Sequence, residues 1–437
     1  MNDTVRIKAP LLWKHQEHAL AQLARNIPLA LHWGMGTGKT RNILAITDNP
    51  HLRKSNAPVL VLCPASVVRV WEQEHKKWAV NSTLTVLTTN TCTRTFATAV
   101  QSPTPQLLVC SYDSFWRQPL RQRLLSFQYS LLVCDESHRL KNPQTKRARA
   151  MWALRDQCQQ IVIMSGTMLT CDPGDLWMQY KVLHPDIFPG KRVEFEQKYG
   201  LAFDFYSGKP TRWNMGGILQ ATAPYTLRAR TEDCHDLPEQ HDLYHVHAPI
   251  LYEYPSADDL LENGEPKYAN TLALLTAQWM WCARDDDRAD ALRDLLTDLE
   301  PQQLVITAQH HAAIDAIATV LYPTAHKFVI MDSRHDSLQA ERDWLDKKAD
   351  ILIVQYAKSE GANWQGNAHR MIHYELPWSY TDYTQIRGRI YRPGQQKRCI
   401  YHHIVQENTL DVHILDALQK KMDFAIAFIE DTTRGIV

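Results

Sequence analysis

The stretch Gly34–Thr40 reads GMGTGKT and directly follows an apolar stretch, Pro28–Trp33. The residues after it, with Ile43, Leu44 and Ile46, show helical spacing. Strand, glycine-rich loop and helix in this order form the arrangement that wraps a triphosphate. The pattern therefore predicts a nucleotide site near the amino end of an α/β domain.

Each polar or glycine position of this loop has a predicted task. Gly36 and Gly38 let backbone amides approach the β-phosphate, Lys39 neutralises the β and γ oxygens, and the Thr40 hydroxyl is a ligand for Mg²⁺. The fuller pattern has glycine at position 33, where this chain has Trp33. A glycine turn that merely contains the letters GKT therefore stays an alternative for the loop taken alone.

Short apolar, β-branched runs recur along the chain with helical stretches between them, which is typical of buried parallel strands. They fall into two series separated by a long gap, and two separate α/β sheets are the simplest account. The first series comprises 59–63, 107–110, 131–134 and 161–164; the second comprises 304–307, 328–331, 351–354, 371–374 and 401–405.

The segment between the two series, 170–301, has a different residue pattern. Proline and glycine interrupt its first part, and a helical pattern over 270–299 fills its end, so we predict helical insertions there. The polar segment 236–240 reads DLPEQ and suits a boundary. We therefore expect one lobe over 1–236 and a second over 237–437, the second ending in a helix.

Two carboxylates follow a buried strand, where residues 131–138 read LLVCDESH. The carboxyl ends of parallel strands share one sheet edge, so Asp135 and Glu136 are predicted to lie beside the phosphate loop. Asp135 would hold Mg²⁺, and Glu136 would orient and deprotonate the attacking water. A solvated acidic pair at a strand end is the alternative.

Residues 385–395 read QIRGRIYRPGQ. We predict a helix here, with Arg389 and Arg392 on one face, three residues apart, both reaching a γ-phosphate across a cleft between lobes. Such arginines stabilise the charge of the transition state. A basic face that is solvated or lies on a phosphate backbone is the alternative.

Composition limits the class of protein. The 437 residues contain 48 Lys plus Arg and 48 Asp plus Glu, and 44% are hydrophobic, which excludes a disordered chain or a histone-like polycation. The nine cysteines include no CxxC pair, so neither a disulfide framework nor a zinc cage is predicted. We expect no signal peptide, no membrane span and a reducing, cytoplasmic setting in a bacterial cell, or a nuclear one in a eukaryote.

Taken together, these motifs resemble the superfamily-two helicase-like ATPases and, within them, the Swi/Snf family of duplex-DNA translocases. The segment 13–16 (WKHQ) resembles the Q motif of the family, which implies that Gln16 reads the adenine edge. The segment 61–66 (VLCPAS), with Trp71 and the sequence KKW at 76–78, resembles motif Ia. The likeness runs in order from Trp13 to about Lys421.

Further segments carry the same resemblance. They are 110–112 (motif Ib), 135–143 (the DEAH box with its basic extension), 164–167 (motif III), 359–363 (motif V), 376–378 (the tryptophan motif) and 385–395 (motif VI). Ser137 replaces the usual alanine of the box, and Met168–Thr170 stand where the family commonly has proline. The region 195–237 is most similar to the fork-remodelling, annealing-helicase branch.

The resemblance implies two RecA-like P-loop lobes with parallel sheets and helical insertions between them, using ATP and Mg²⁺. It assigns catalysis to Lys39, Asp135, Glu136, Arg389, Arg392 and Gln385. Nucleotide contacts fall to Gln16, Gly36, Thr37, Gly38, Lys39, Thr40 and Gly361, and Mg²⁺ to Thr40 and Asp135. Nucleic-acid contacts fall to Ser111, Tyr112, Arg139, Lys141, Asn363 and Trp378. Packing roles for Tyr112 and Trp378, and a solvated role for Lys141, stay open.

The expected function is ATP-dependent movement along double-stranded DNA, forked or branched DNA included, without obligatory strand separation. We expect a monomeric motor that a protein partner directs to its target. One alternative is a strand-separating or annealing helicase acting on forks, which needs a wedge that we could assign to no segment. A non-catalytic nucleotide-binding scaffold is another, and the intact motif residues argue against it.

Overall fold

The computed structural model describes residues 12–433 except 53, 92, 168–171, 235, 248–260, 263–264, 267–275, 277–278, 281, 284 and 300–301. Only the backbone is described for 50, 261–262, 265–266 and 422–433. The chain divides into two compact units, Met1–Cys234 with Ala425–Val437, and His235–Phe424. Each unit has its own sheet.

The first unit is built on a sheet of seven parallel strands. Among its described residues, the strands are β1 (Leu29–Trp33), β2 (Val59–Cys63), β3 (Thr83–Leu87), β4 (Gln106–Ser111), β5 (Leu131–Asp135), β6 (Ile161–Ser165), β7 (Gly200–Phe203), β8 (Pro210–Trp213) and β9 (Thr226–Ala229). The sheet order is β3-β4-β2-β5-β6-β1-β9, and every neighbouring pair is parallel. The strands β7 and β8 form a separate antiparallel hairpin.

Helices cover both faces of this sheet, because its central strands bury side chains on each face. Along β2, for example, Leu60 and Leu62 join one apolar cluster, whereas Val59 and Val61 join the other. The helices are α1 (Lys14–Ala24), α2 (Lys39–Asp48), α3 (Val68–Trp78), α4 (Thr93–Val100), α5 (Leu120–Leu125), α6 (Lys146–Arg155), α7 (Asp175–Leu183), α8 (Arg192–Tyr199), α9 (Met215–Thr222) and α10 (Thr231–Cys234).

The second unit repeats the plan with six parallel strands. They are β10 (Gln240–His247), β13 (Leu304–Ala308), β14 (Phe328–Met331), β15 (Ile351–Gln355), β16 (Arg370–His373) and β17 (Cys399–Gln406), while β11 (Leu261–Glu262) and β12 (Glu265–Pro266) pair separately. The sheet order is β10-β17-β16-β13-β15-β14. The helices are α11 (Asp286–Asp298), α12 (His311–Leu321), α13 (Ser337–Leu345), α14 (Tyr380–Arg387) and α15 (Leu410–Thr433).

A buried ion pair lies at the carboxyl ends of the neighbouring strands β16 and β17. Arg288 of α11 is fully buried and pairs with Asp411 at the start of α15. It also donates to the carbonyl oxygen of Tyr374 and to the side-chain oxygen of Gln406. Because both charges are buried, each depends on the other for its solvation.

The predicted α/β class with two parallel sheets is confirmed, and every predicted strand coincides with an observed one, except that Tyr374 lies one residue beyond the end of β16. The strands absent from the two predicted series include β3, β9 and β10, which are sheet edges and carry mixed, partly exposed side chains. The predicted insertions contain helices α7–α10 and also the hairpin β7–β8, which the patterns did not indicate. Within the described residues, no helix is long and apolar enough to cross a membrane.

Candidate functional site

The phosphate loop connects β1 to α2 as its sequence predicts. Gly36 and Gly38 have positive φ angles of 73° and 80°, a backbone conformation that favours glycine. Trp33, the departure from the fuller pattern, is the last residue of β1, and its side chain is fully buried in the core. The ring of His15 contacts it edge to face, with centroids 4.6 Å apart. Position 33 is therefore a core position here, and the turn itself begins at Gly34.

Residues from the far end of the unit hold the start of the loop. The Gly34 N–H donates to the Ala229 carbonyl at 2.8 Å, and the Thr231 hydroxyl donates to the Met35 carbonyl at 2.8 Å. A Cβ atom at Gly34 would lie 2.4 Å from the Thr231 hydroxyl oxygen. Sequence reasoning missed Thr231, since a single threonine almost 200 residues away carries no pattern.

The side chain of Gln16 fastens the loop from the other side. Its amide nitrogen donates to the Gly38 carbonyl at 3.1 Å, and its oxygen accepts the Trp13 N–H at 3.0 Å. The His15 ring donates to the Thr37 carbonyl at 2.9 Å. Gln16 is fully buried, so in this structure it holds the loop. Its reading of adenine stays a prediction.

Lys39 lies at the first turn of α2, next to Thr40. Its ammonium group donates to the carbonyl oxygens of Trp33 at 2.7 Å and Gly34 at 3.0 Å. These two carbonyl oxygens are neutral acceptors. Phosphate oxygens are charged and would bind the ammonium group more strongly, so a nucleotide could replace the carbonyl oxygens. The lysine charge, the two left-handed glycines and the start of the helix at Lys39 suit a nucleotide phosphate chain.

Asp135 ends β5, as predicted, and its carboxylate is almost fully buried. One oxygen accepts the indole N–H of Trp71 at 3.0 Å, and the other accepts the Glu136 N–H at 3.0 Å. Burial and the adjacent Glu136 charge raise the pKa of Asp135 to about 7, although Lys39 and these bonds oppose the rise. A divalent cation would favour the ionised form of such a carboxylate, so the site fits Mg²⁺.

Glu136 adopts a left-handed backbone with φ 48°, an uncommon conformation that is found at functional turns. Its carboxylate accepts the Ser165 hydroxyl at 2.8 Å and lies 3.4 Å from the His138 ring nitrogen. Burial alone would raise the pKa of Glu136, but His138, Lys39 and Ser165 lower it to about 2. The carboxylate is therefore ionised and held in one orientation.

The predicted basic extension of the box packs against α7. The hydroxyl of Ser137 donates to the side-chain oxygen of Gln179 at 2.8 Å, so the serine that replaces alanine has a partner. Lys141 forms an ion pair with Asp175 at 3.3 Å, and Arg139 is exposed. The three residues that follow motif III, 168–170, lie outside the described residues.

Motif Ib corrects one predicted contact. Ser111 ends β4, is mostly buried, and donates its hydroxyl to that of Ser114 at 2.9 Å. The Tyr112 ring is only 1% exposed and packs in the core against Phe115, beneath Arg147. The prediction that the Tyr112 side chain contacts DNA is therefore wrong. It packs instead, because it directly follows a buried strand.

In the second unit, the predicted helix around the two arginines ends early. Helix α14 stops at Arg387, so the prediction that Arg389 and Arg392 lie within a helix is wrong. Gly388 weakens the helix, and Pro393 disfavours helical backbone at the residue before it. The Arg389 N–H consequently bonds to the carbonyl three residues back, at Ile386.

The two guanidinium groups nevertheless converge on one target. Arg389 and Arg392 both donate to the Ala362 carbonyl, at 3.3 and 3.2 Å, and Arg392 also donates to the Asn363 side chain at 2.8 Å. Gly361, just before, has a φ of 83°. The structure thus brings together the segments that resemble motifs V and VI.

The other predicted residues of this unit differ in exposure. Gln385 is mostly buried on α14, whereas Asn363 is exposed. Trp378 is 42% exposed and contacts Trp279 edge to face, with centroids 5.8 Å apart. One part of the Trp378 ring therefore packs against Trp279, and the other part is exposed to solvent. Trp71, His138 and Ser165 received no individual role from the sequence. In the structure, Trp71 donates to the Asp135 carboxylate, and His138 and Ser165 contact that of Glu136.

The chain is similar to known proteins over nearly its whole length. The family model of the SNF2-related domain matches residues 19–248, and that of the helicase conserved C-terminal domain matches residues 287–394. A relative is the human DNA annealing helicase and endonuclease ZRANB3, 23% identical over 95% of this chain and 40% of its own length.

Two further proteins are similar. The SWI/SNF-related matrix-associated actin-dependent regulator of chromatin subfamily A-like protein 1 of Xenopus tropicalis is 22% identical over 92% of this chain and 43% of its own length. The solved Sulfolobus solfataricus SWI2/SNF2 ATPase core in complex with dsDNA is 19% identical, with 97% of this chain and 94% of that chain covered and a TM-score of 0.46. The chain spans about two fifths of the length of the two curated relatives. Because the SNF2-related match covers more than half of the 437 residues, this chain belongs to the SNF2-related domain family, as its motifs indicated.

Proposed function

We propose that this protein is an ATP-dependent DNA translocase, which hydrolyses ATP when bound to double-stranded DNA and moves along the duplex without obligatory strand separation. One observation carries the proposal: a loop with a positioned lysine lies in the same unit as two oriented carboxylates, the buried Asp135 and the partly exposed Glu136. Membership of the SNF2-related family and the DNA-directed names of its relatives support the same conclusion.

In the first unit, Lys39 exchanges its carbonyl partners for phosphate oxygens, while Gly36, Thr37 and Gly38 present backbone amides. Thr40 and Asp135 would hold Mg²⁺, which when bound neutralises charge on the phosphate chain. Glu136 orients and deprotonates the attacking water, and the Ser165 and His138 contacts keep its carboxylate in place.

In the second unit, Arg389 and Arg392 are proposed arginine fingers that stabilise the charge of the transferred phosphoryl group. Gln385 keeps its proposed catalytic role, and Gly361 its proposed contact with the nucleotide. The carbonyl and amide oxygens that they now contact hold them together until the nucleotide replaces these acceptors. Gln16 keeps its proposed role at the adenine edge.

DNA contacts are proposed for Ser111, Arg139, Lys141, Asn363 and Trp378, on the two lobes that we assign to residues 1–236 and 237–437. Lysine, arginine and small polar groups follow the phosphate backbone and carry little base information. Binding should therefore weaken steeply with salt, because each neutralised phosphate releases counterions.

We also propose a monomeric motor that a partner protein directs to its site in the cytoplasm. The described cysteines are free thiols, as a reducing compartment requires: Cys63, Cys110, Cys134, Cys158, Cys234, Cys282 and Cys399.

The decisive experiment measures the ATP hydrolysis rate with duplex, forked and single-stranded DNA and with RNA. Duplex DNA should raise the rate strongly, and Lys39→Ala and Glu136→Gln should each abolish it. Lys54→Ala, which removes an exposed lysine outside the loop, should leave it unchanged. An equal rate with and without nucleic acid would reject the motor.

Movement is separated from strand opening by a second assay. A motor that tracks duplex DNA should displace the third strand of a triplex while it hydrolyses ATP. Stimulation by single strands alone, or efficient fork unwinding with no triplex displacement, would favour the strand-separating alternative.

A further inference from the structure

The hairpin β7–β8 is a compact, ordered projection of the first unit. Gly200 pairs with Trp213 and Phe203 with Pro210. Across the connecting turn, the Asp204 N–H donates to the Lys209 carbonyl at 2.9 Å, and the Gly208 N–H donates to the Asp204 carbonyl at 2.9 Å. These bonds give the tip a defined shape.

The tip presents aromatic rings to solvent. Phe205 is 91% exposed and Tyr206 is 94% exposed, and the two rings contact each other edge to face with centroids 5.4 Å apart. Leu201 and Phe203 on the adjoining strand are also about half exposed. Exposed apolar groups gathered on one element mark a surface that binds something.

The charge around these rings indicates an anionic ligand. Lys198, Lys209 and Arg212 are exposed, and none of them forms an ion pair with any described residue. The single carboxylate among residues 200–213, on Asp204, accepts the Ser207 N–H at 2.7 Å within the turn, and the three exposed cations outnumber it. Stacking rings flanked by cations are the combination that binds unpaired nucleic-acid strands.

The dimensions of the tip favour bases over a protein partner. A stable protein interface buries about 800 Å² on each side, whereas this tip consists of two rings on a six-residue turn. A base needs only the face of one ring.

The base of the hairpin is joined to the carboxylate turn by a continuous series of packed rings. Trp213 contacts Phe195 at 5.7 Å between centroids, Phe195 contacts Phe188 at 4.7 Å, and Phe188 contacts Tyr180 at 6.0 Å. Tyr180 lies on α7, whose Gln179 accepts the Ser137 hydroxyl of the box. The hairpin is therefore anchored to the element that carries the candidate catalytic carboxylates.

We propose that this hairpin is a wedge for branched DNA, in which Phe205 and Tyr206 stack on bases where duplex meets single strand, while Lys209 and Arg212 contact the phosphates. The proposal rests on the proposed function and adds its substrate: a forked or branched duplex. The motor tracks intact duplex, and the hairpin engages strands only where a branch supplies unpaired bases.

The test compares three variants of the full chain with the wild type. Phe205→Ala/Tyr206→Ala removes both rings, Phe205→Tyr/Tyr206→Phe keeps both, and Tyr322→Ala removes an exposed ring from the second unit as the control. Since both tip rings are exposed, their removal should leave the melting temperature unchanged. The probe is a synthetic fork carrying 2-aminopurine at its junction.

Without nucleotide, the wild type, the ring-retaining variant and the control should all change the 2-aminopurine fluorescence, and the double alanine variant should not. Fork remodelling by that variant should fall by about tenfold or more, the effect expected from losing stacked bases. Its hydrolysis rate on plain duplex should stay within about twofold of the wild type.

An unchanged fluorescence response or an unchanged rate of fork remodelling in the double alanine variant would overturn the proposal that the hairpin is a wedge. The exposed rings would then be assigned to binding a protein or a lipid surface. The two proposals fail separately. Loss of duplex-stimulated hydrolysis in the wild type rejects the motor, while the nucleotide-free fluorescence reports on the hairpin alone.

Discussion

The carboxylate Asp135 should destabilise the fold that carries it. Its pKa rises from an ordinary 3.8 to about 7, chiefly by burial and then by the charge of Glu136. The folded chain therefore keeps a proton that the unfolded chain loses between about pH 4 and pH 7. Stability contributed by this group is lost as the pH rises through that window, and Asp135→Asn, which mimics the protonated acid, should remove the loss.

The size of the effect follows from linkage between protonation and folding. With these two pKa values, the wild type loses about 2–3 kcal/mol relative to Asp135→Asn between pH 5 and pH 8. The amide nitrogen of Asn cannot accept, so Asp135→Asn loses one of the two N–H bonds that the carboxylate accepts from Trp71 and Glu136. This loss is the same at every pH and therefore does not affect the difference between pH 5 and pH 8. For a unit of this size, the difference is about 4–12 °C in melting temperature.

The assay is unfolding of the full chain by urea at pH 5, 6.5 and 8, with chelator and without nucleotide. Asp135→Asn should abolish ATP hydrolysis and yet gain stability over the wild type as the pH rises. Asp332→Asn is the matched control, because Arg334 and His335 contact this buried carboxylate at 2.7 Å and hold its pKa at about 2 despite burial. That variant should be less stable than the wild type at pH 8.

The reasoning is refuted if Asp135→Asn shows no relative gain in stability between pH 5 and pH 8. In that case water or a neighbouring cation solvates the Asp135 carboxylate well enough to keep its pKa ordinary. The ionised carboxylate would then carry no free-energy cost of burial for Mg²⁺ to offset.

Two further predictions concern packing. Asp411→Ala leaves the buried Arg288 charge without its partner and should lower the free energy of unfolding in urea by about 3–5 kcal/mol. The control Asp416→Ala removes an exposed ion pair with Lys420 and should lower it by less than about 0.5 kcal/mol. Equal losses in the two variants would contradict this. Gly34→Ala places a Cβ 2.4 Å from the Thr231 hydroxyl oxygen and should weaken binding of a fluorescent ATP analogue by about tenfold. The control Gly366→Ala adds a Cβ in open space and should bind the analogue like the wild type. Equal affinities of the two variants would show that the loop adapts to the added Cβ.

Local patterns were enough to predict the elements on which the site stands. A buried parallel strand is a short run of β-branched and aliphatic residues, because both of its faces are covered, and β2 and β5 show this directly. The glycine loop is equally local, since its backbone angles require glycine at positions 36 and 38. Both kinds of feature depend on residues that are adjacent in the chain.

Errors arose where a side chain's role depends on distant neighbours. From its sequence Tyr112 could either contact DNA or pack, and only the core around Phe115 shows that its ring packs. Arg389 is predicted to be helical, but the helix ends before it, at Arg387. The hairpin has no strong alternation, and only its observed pairing shows that Phe205 and Tyr206 are exposed.

By itself, the sequence determined that two parallel α/β sheets form and that the loop and the acidic pair stand at strand ends, because the periodicity and glycine content that dictate these features lie within a few residues. Only the tertiary structure decided that Trp71, Ser165 and His138 orient the carboxylates, that Thr231 braces the loop, and that an aromatic hairpin is exposed. Those contacts join residues far apart in the chain, and burial, hydrogen bonding and pKa are set by the neighbours that folding brings together.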